Sequence, residues 1–262
     1  MRCAILLVAF GASSAQGQST LKGVDTMVRA RFPALPVRWA YTSHLLRERL
    51  ARARQKSDSV LKALQRLYFE NFTSVVVQPL QIIPGREYGE VCEAAAAVSA
   101  ETGMLCRVGK PLLDGAADVE AAARALVAHL PHERTPDEDV VFMGHGARHE
   151  AVSRYMALNQ AVSALDRRVH VGTMNGALAL ESILPRLASR RVWLLPLLSV
   201  IGRHALEDMA GPAEGSWRSC IEAAGRECVP VLRGTAEYAG FIEIWLRHLE
   251  QAEAELAEER PS

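Results

Sequence analysis

Residues 140–151 read VVFMGHGARHEA: a short apolar run that ends in Gly144-His145-Gly146. Four apolar residues in succession, closed off by a glycine, predict a strand buried on both faces, as in a parallel sheet covered by helices. A glycine on either side of a histidine removes the Cβ crowding that keeps a bulky ligand away, and it opens backbone angles closed to other residues. His145 is therefore expected to stand clear at a strand tip, the place where open α/β sheets take ligands.

The same run-then-turn pattern recurs along the chain. Strands are predicted over 3–11, 36–42, 74–80, 106–112, 139–146, 169–174, 191–198 and 228–234, with helical patterns between them, among them 59–72 and 179–190. The segment LPHERTPDED at 130–139, with two prolines and dense charge, reads as the linker. The predicted fold class is α/β: two similar Rossmann-like domains with parallel sheets flanked by helices and an active-site cleft between them. The domains are placed at 1–134 and 135–262. The final helix, AEYAGFIEIWLRHLEQAEAELAEER, is expected to fray after residue 255 and either to pack back on the N-terminal domain or to support a homo-oligomer.

An internal repeat sharpens the two-domain reading. Pro79-Leu80 and Pro196-Leu197 are each followed, at the same distance, by Gly-Arg: Gly85-Arg86-Glu87 in one half, Gly202-Arg203-His204 in the other. Likewise LLVAFGAS and VFMGHGAR superimpose Phe10 on His145. The two halves are thus expected to share one topology while presenting different side chains after equivalent strands.

Composition narrows the function classes. The 262 residues carry 30 Lys plus Arg against 30 Asp plus Glu, so the zero formal net charge gives no reason to expect nucleic acid or an anionic membrane as partner. The apolar run near the N-terminus stops at Gly11 like a strand entering a turn, not like a secretory signal, and no run reaches membrane-spanning length. Five cysteines (3, 92, 106, 220 and 228), odd in number and without a CxxC pair, read as small buried residues in a reducing cytoplasm. The loop GASSAQGQST lacks Gly-Lys-Ser/Thr and the full dinucleotide fingerprint, which argues against a nucleotide; its Ser13, Ser14 and backbone N–H groups suit the carboxylates of a larger anion.

His145, His204 and Glu87 all follow predicted strands. Imidazole nitrogen and carboxylate oxygen suit cobalt, iron, nickel or zinc, and neutral imidazole also accepts protons near pH 7. With no cysteine among them, the site reads as exchangeable and unlike a closed structural zinc. Each residue also has a plain structural role open to it: a turn or helix cap for the histidines, a dipole-favoured helix start for Arg86 and Glu87. His44, His129, His132 and His248 are assigned to surface or satisfied positions, and His149 to a helix surface. Trp217 is expected on a helix beside the His204 loop.

Four stretches carry a resemblance over nearly the whole length: LLVAFGAS, VVVQPLQIIPGREY, VVFMGHGARH and GRHALEDMAGPAEGSWR. In them the chain resembles the anaerobic sirohydrochlorin cobaltochelatases, class II chelatases related to the ferrochelatases. The resemblance implies that His145 and His204 are the two active-site histidines and Glu87 a cleft glutamate. It also implies that cobalt(II) is a substrate ion, with iron(II) as the alternative and sirohaem then the product, and that no cofactor is tightly bound. The partner is a tetrapyrrole, whose peripheral carboxylates are assigned to Ser13, Arg86, Arg148 and Arg203. Two positions depart from the family pattern: Asn175 stands where a metal-binding glutamate is usual, and Gln81 where a histidine is common. A reading of another class is a non-catalytic carrier of tetrapyrrole or metal that closes on its ligand without turnover.

Overall fold

The computed structural model of the chain describes residues 2–55, 57–146 and 151–259. All eight predicted strands are present, in two four-stranded parallel sheets. The first is formed by β1 (Cys3–Ala9), β2 (Val37–Tyr41), β3 (Ser74–Pro79) and β4 (Leu105–Val108), in the order β2-β1-β3-β4. The second is formed by β5 (Asp139–Gly144), β6 (Val169–Thr173), β7 (Arg191–Leu197) and β8 (Glu227–Pro230), in the order β6-β5-β7-β8. The helices are α1 (Ala15–Arg31), α2 (His44–Arg52), α3 (Val60–Phe69), α4 (Arg86–Thr102), α5 (Ala116–Ala128), α6 (Val152–Leu165), α7 (Leu180–Ile183), α8 (Trp217–Ala223) and α9 (Ala239–Glu259).

Register makes the repeat exact in space. Val8 of β1 pairs with Pro79, and Met143 of β5 pairs with Pro196. Phe10 and His145 therefore follow equivalent central strands, and Glu87 and His204 lie at equivalent distances beyond the neighbouring ones. Both central strands are wholly buried, which is why, Asp139 at the start of β5 apart, their sequences are apolar runs with no alternation. In the first core Leu6, Val8, Val75 and Val77 pack on Leu64 and Leu67 of α3 and on Val91 and Val98 of α4. In the second, Val141, Met143, Val192 and Leu194 pack on Leu180, Ile183, Trp217 and Ile221. Each such side chain contributes about 1.5–3 kcal/mol through burial.

The chain divides into two compact units, residues 1–112 with 242–262, and residues 113–241. This division differs from the sequence-based boundary at 134/135. α5 packs against α6 and buries Val119, Ala122, Ala123 and Leu126, so it belongs with the β5 sheet. The charged segment before β5 is a structured turn: the buried Arg134 pairs with Asp166 at 2.9 Å and donates from Nε to the Glu138 carbonyl. Residues of α9 from Ile242 onward group with the first unit, where Arg31 pairs with Glu243 and Glu250. Where fraying was expected after residue 255, α9 continues to Glu259 among the described residues: Leu256 is buried and Arg107 on β4 pairs with Glu255 and Glu259.

The predicted helix at 179–190 is cut short, with α7 passing at Leu184 into a 3-10 turn that contains Pro185. Proline has no N–H to continue the ladder. At the start of β5 the buried Asp139 accepts from the backbone N–H groups of Ala188 and Ser189, both at 2.7 Å, and meets Nε2 of His170 at 3.4 Å. Burial alone would raise its pKa, but these hydrogen bonds outweigh burial and hold the carboxyl well below its ordinary value. His170 is thus a structural partner. No described helix is long and apolar enough to cross a membrane.

Candidate active site

The glycines around His145 have separate causes. A Cβ on Gly144 would lie 2.6 Å from the Tyr155 ring, so this glycine lets the buried tyrosine of α6 pack under the strand tip. Gly146 has φ +90, a left-handed conformation that side chains other than glycine rarely adopt. The Tyr155 hydroxyl is hydrogen-bonded to the Gly146 backbone, and burial raises its pKa well above the ordinary phenol value, so it stays neutral. Gly-His-Gly is thus a turn anchored from below, with His145 exposed at its apex. Sequence reading did not single out Tyr155, because nothing in its helical setting separates it from an ordinary core aromatic.

His204 opens a π-helical turn, His204–Met209, in which the Ala210 N–H donates to the Ala205 carbonyl five residues back. Such turns are rare and recur at functional sites. Met209 is buried in the second core, and α8, which begins at the buried Trp217, packs against the turn. The rings of His145 and His204 meet with centroids 4.9 Å apart and an interplanar angle of 50°. Nδ1 of His204 lies 2.6 Å from Oδ2 of Asp208. Partial burial, and then the neighbouring His204, lower the pKa of His145, while Asp208 pulls it the other way. A neutral His145 offers a lone pair to a metal ion or a proton.

The loop of Asn175 runs beside this turn: a Cβ on Gly146 would lie 3.7 Å from the Asn175 carbonyl, which itself accepts from the Thr173 hydroxyl at 2.8 Å. The Asn175 side chain is exposed. Arg203 is exposed as well, and its Nε holds Glu207 at 2.6 Å. Among the described residues no group of three or more His, Cys, Asp or Glu side chains is arranged to hold a metal ion, so His145 and His204 form a pair.

In the first unit Glu87 sits in the first turn of α4 and accepts from the Thr42 hydroxyl at 3.4 Å. Burial, then Glu90, raise its pKa above the usual carboxylate value. Arg86 is almost fully exposed and pairs with Glu90 at 2.9 Å. Ser13 is exposed, with Nη1 of Arg49 at 3.5 Å, and Ser14 caps α1 by accepting from the Gly17 N–H. Gln81 has both side-chain polar atoms buried and without a described hydrogen-bond partner. Arg148 and His149 lie outside the described residues.

The other histidines are local fixtures. His248 is buried and its Nδ1 lies 3.2 Å from the Lys110 carbonyl. His129 stacks on Tyr238 at 4.9 Å. His44 is exposed beside Glu48, and His132 is exposed as well.

The chain matches the family described as cobalt chelatase (CbiK) over residues 3–254. It is 56% identical to the sirohydrochlorin cobaltochelatase CbiKC of Nitratidesulfovibrio vulgaris over 252 residues, which cover 95% of this chain and 89% of that protein. It is 31% identical to the sirohydrochlorin cobaltochelatase of Salmonella typhimurium, over 96% of this chain and 97% of that one. The sirohydrochlorin chelatase SirB of Bacillus subtilis subspecies spizizenii, solved in complex with cobalt, shares the fold with a TM-score of 0.67 at 12% identity, covering 99% of this chain and 98% of that one. With a family match that spans nearly the whole length and a relative of such high identity, the chain belongs to the cobalt chelatase (CbiK) family.

Proposed function

We propose that this protein is a sirohydrochlorin cobaltochelatase of the cytoplasm, inserting cobalt(II) into sirohydrochlorin with release of two protons, a step of anaerobic cobalamin synthesis. One observation carries the residue assignment: two imidazoles meet at 4.9 Å between centroids at the tips of one sheet. With metal–nitrogen bonds of about 2.0–2.1 Å, two imidazoles on one ion at a right-angled to tetrahedral angle have ring centres about 4.5–5.2 Å apart. His145 and His204 present cobalt in partly dehydrated form, with Asn175 as a weak neighbouring donor. Neutral imidazole and the Glu87 carboxylate receive the pyrrole protons as the ring nitrogens take the ion. The reaction needs a bent macrocycle whose nitrogens are exposed, and a site that favours the bent ring lowers the barrier by differential binding.

The peripheral carboxylates of the substrate fall to Arg86, Arg148 and Arg203, with Ser13. Among the described residues the ion-pair partners of Arg86 and Arg203 are the exposed Glu90 and Glu207. Exposed ion pairs contribute about 0–1 kcal/mol, so either arginine can exchange its partner for a substrate carboxylate at little cost.

The test is insertion followed by absorbance, with purified protein, sirohydrochlorin and cobalt(II), iron(II) or nickel(II) in turn. The expected result is the greatest acceleration over the protein-free rate with cobalt. Faster iron insertion would make the product sirohaem, and tetrapyrrole binding without acceleration by any ion would identify a carrier.

A further inference from the structure

The internal repeat continues past the histidine. Arg86-Glu87-x-x-Glu90-Val91 in the first unit corresponds to Arg203-His204-x-x-Glu207-Asp208 in the second. The arginine–glutamate pair, four residues apart, is formed in both: Arg86 Nε to Glu90 at 2.9 Å and Arg203 Nε to Glu207 at 2.6 Å. The next position differs. In the first unit it is Val91, fully buried in the core behind a glutamate; in the second it is Asp208, part-exposed, with Oδ2 at 2.6 Å from Nδ1 of His204. A carboxylate thus stands four residues on only where an imidazole precedes it. Glu207 is engaged by Arg203, which leaves Asp208 for the histidine.

From this pairing we infer that Asp208 is a positioning residue for cobalt insertion: it accepts the Nδ1–H of His204, fixes that tautomer and ring orientation, and leaves the Nε2 lone pair for the metal. A carboxylate behind a ligating histidine orients the ring and raises its basicity, and losing one costs about 10–100-fold in metal affinity or activity. The role rests on His204 being a cobalt ligand, the reading given above. An asparagine at 208 can turn either its oxygen or its NH₂ toward Nδ1, so it keeps the size of the side chain but no longer dictates the tautomer.

The experiment uses the full chain, labelled with ¹⁵N-histidine, as wild type, Asp208→Asn and Asp208→Ala, with His204→Gln to assign the signals. Metal-free spectra report the tautomer of His204, cobalt(II) titration reports affinity, and insertion kinetics separate the KM for cobalt from kcat and from the KM for sirohydrochlorin. The expected result is a single Nδ1–H tautomer in wild type and a mixture in both variants. Cobalt affinity should be about 10–100-fold weaker and the cobalt KM raised to match, with the sirohydrochlorin KM unchanged. A wild-type tautomer retained in folded Asp208→Asn, or cobalt affinity unchanged in both variants, overturns the assignment. Should wild type insert no metal, the chelatase reading fails, while the spectra and the titration still decide whether Asp208 positions His204.

Discussion

The two sheets have one topology and opposite chemistry at their tips. Beyond β1 the first unit presents Phe10, an aromatic ring 52% exposed, and beyond β3 it presents Glu87 on a regular helix. At the equivalent places the second unit presents His145 on a Gly-His-Gly turn and His204 on a π-helical turn, their rings 4.9 Å apart. The strands beneath are in both units mainly buried apolar runs. The difference lies in what each turn permits: Ala9 stands where Gly144 makes room for Tyr155, and Val91 stands where Asp208 reaches back to His204. The two units share a topology and differ at the few positions that follow the strands, which is where an α/β sheet exposes side chains without disturbing its core.

The largest expected effect breaks this comparison at its sharpest point. Replacing His145 and His204 together by alanine should lower kcat for cobalt insertion by about 10²–10⁴-fold, the range for losing positioned proton-transfer groups, with sirohydrochlorin affinity within a few-fold of wild type. Phe10→Leu, at the position equivalent to His145, should cost less than about tenfold, because it removes packing and no lone pair. Stopped-flow absorbance with titration of the tetrapyrrole checks both. Equal losses from the two replacements would mean that the two tips share the chemistry.

A second contrast lies at the opposite end of the same strands. Asp139, which opens β5, corresponds to Ala4 of β1; the aspartate is buried and holds Ala188, Ser189 and His170, while Ala4 only packs. Asp139→Ala leaves those groups unpaired and should destabilise the chain by about 3–5 kcal/mol in urea unfolding. The sign of the pH dependence follows from the depressed pKa. The contribution is fully present above the unfolded value, about 3.9, and is lost as pH falls through the lower folded value. Acid unfolding should therefore be steeper in wild type than in Asp139→Ala.

The strands and the repeat were legible because burial on both faces writes itself as uninterrupted apolar runs, and because Pro-Leu and Gly-Arg recur at fixed spacing. His145 was legible because it stands between two glycines at a strand end, and His204 because the repeat sets it where Glu87 stands in the first half. Asp208 was visible four residues after His204, but an i,i+4 carboxylate on a helix is usually a surface pair, and only the structure shows it against Nδ1 of His204. Tyr155 and His170 act through partners distant in sequence, Gly146 and Asp139, and distance in sequence hides such contacts. The division at 112/113 was hidden because α5 is assigned by what it packs against, and the prolines and charges at 130–139 form a turn held by Arg134.

The smallest predicted effect concerns Asn175, one of the two positions expected to depart from the family pattern. Register sets Tyr41 opposite Ala9 and Thr173 opposite Gly144, so Ser43 and Asn175 are equivalent. Ser43 is occupied as the cap of α2, accepting the Leu46 N–H, whereas Asn175 is exposed in a loop beside Gly146, with no side-chain hydrogen bond among the described residues. Its side chain is therefore free to be exchanged. A carboxylate there adds a charged oxygen donor next to the imidazole pair, and a charged oxygen binds a divalent ion better than an amide does. Asn175→Glu should lower the KM for cobalt by about tenfold, equivalent to about 1.4 kcal/mol, with unfolding free energy within about 0.5 kcal/mol of wild type. An unchanged or higher KM would place Asn175 outside the metal's path and leave the two histidines as the whole of the protein's hold on the ion.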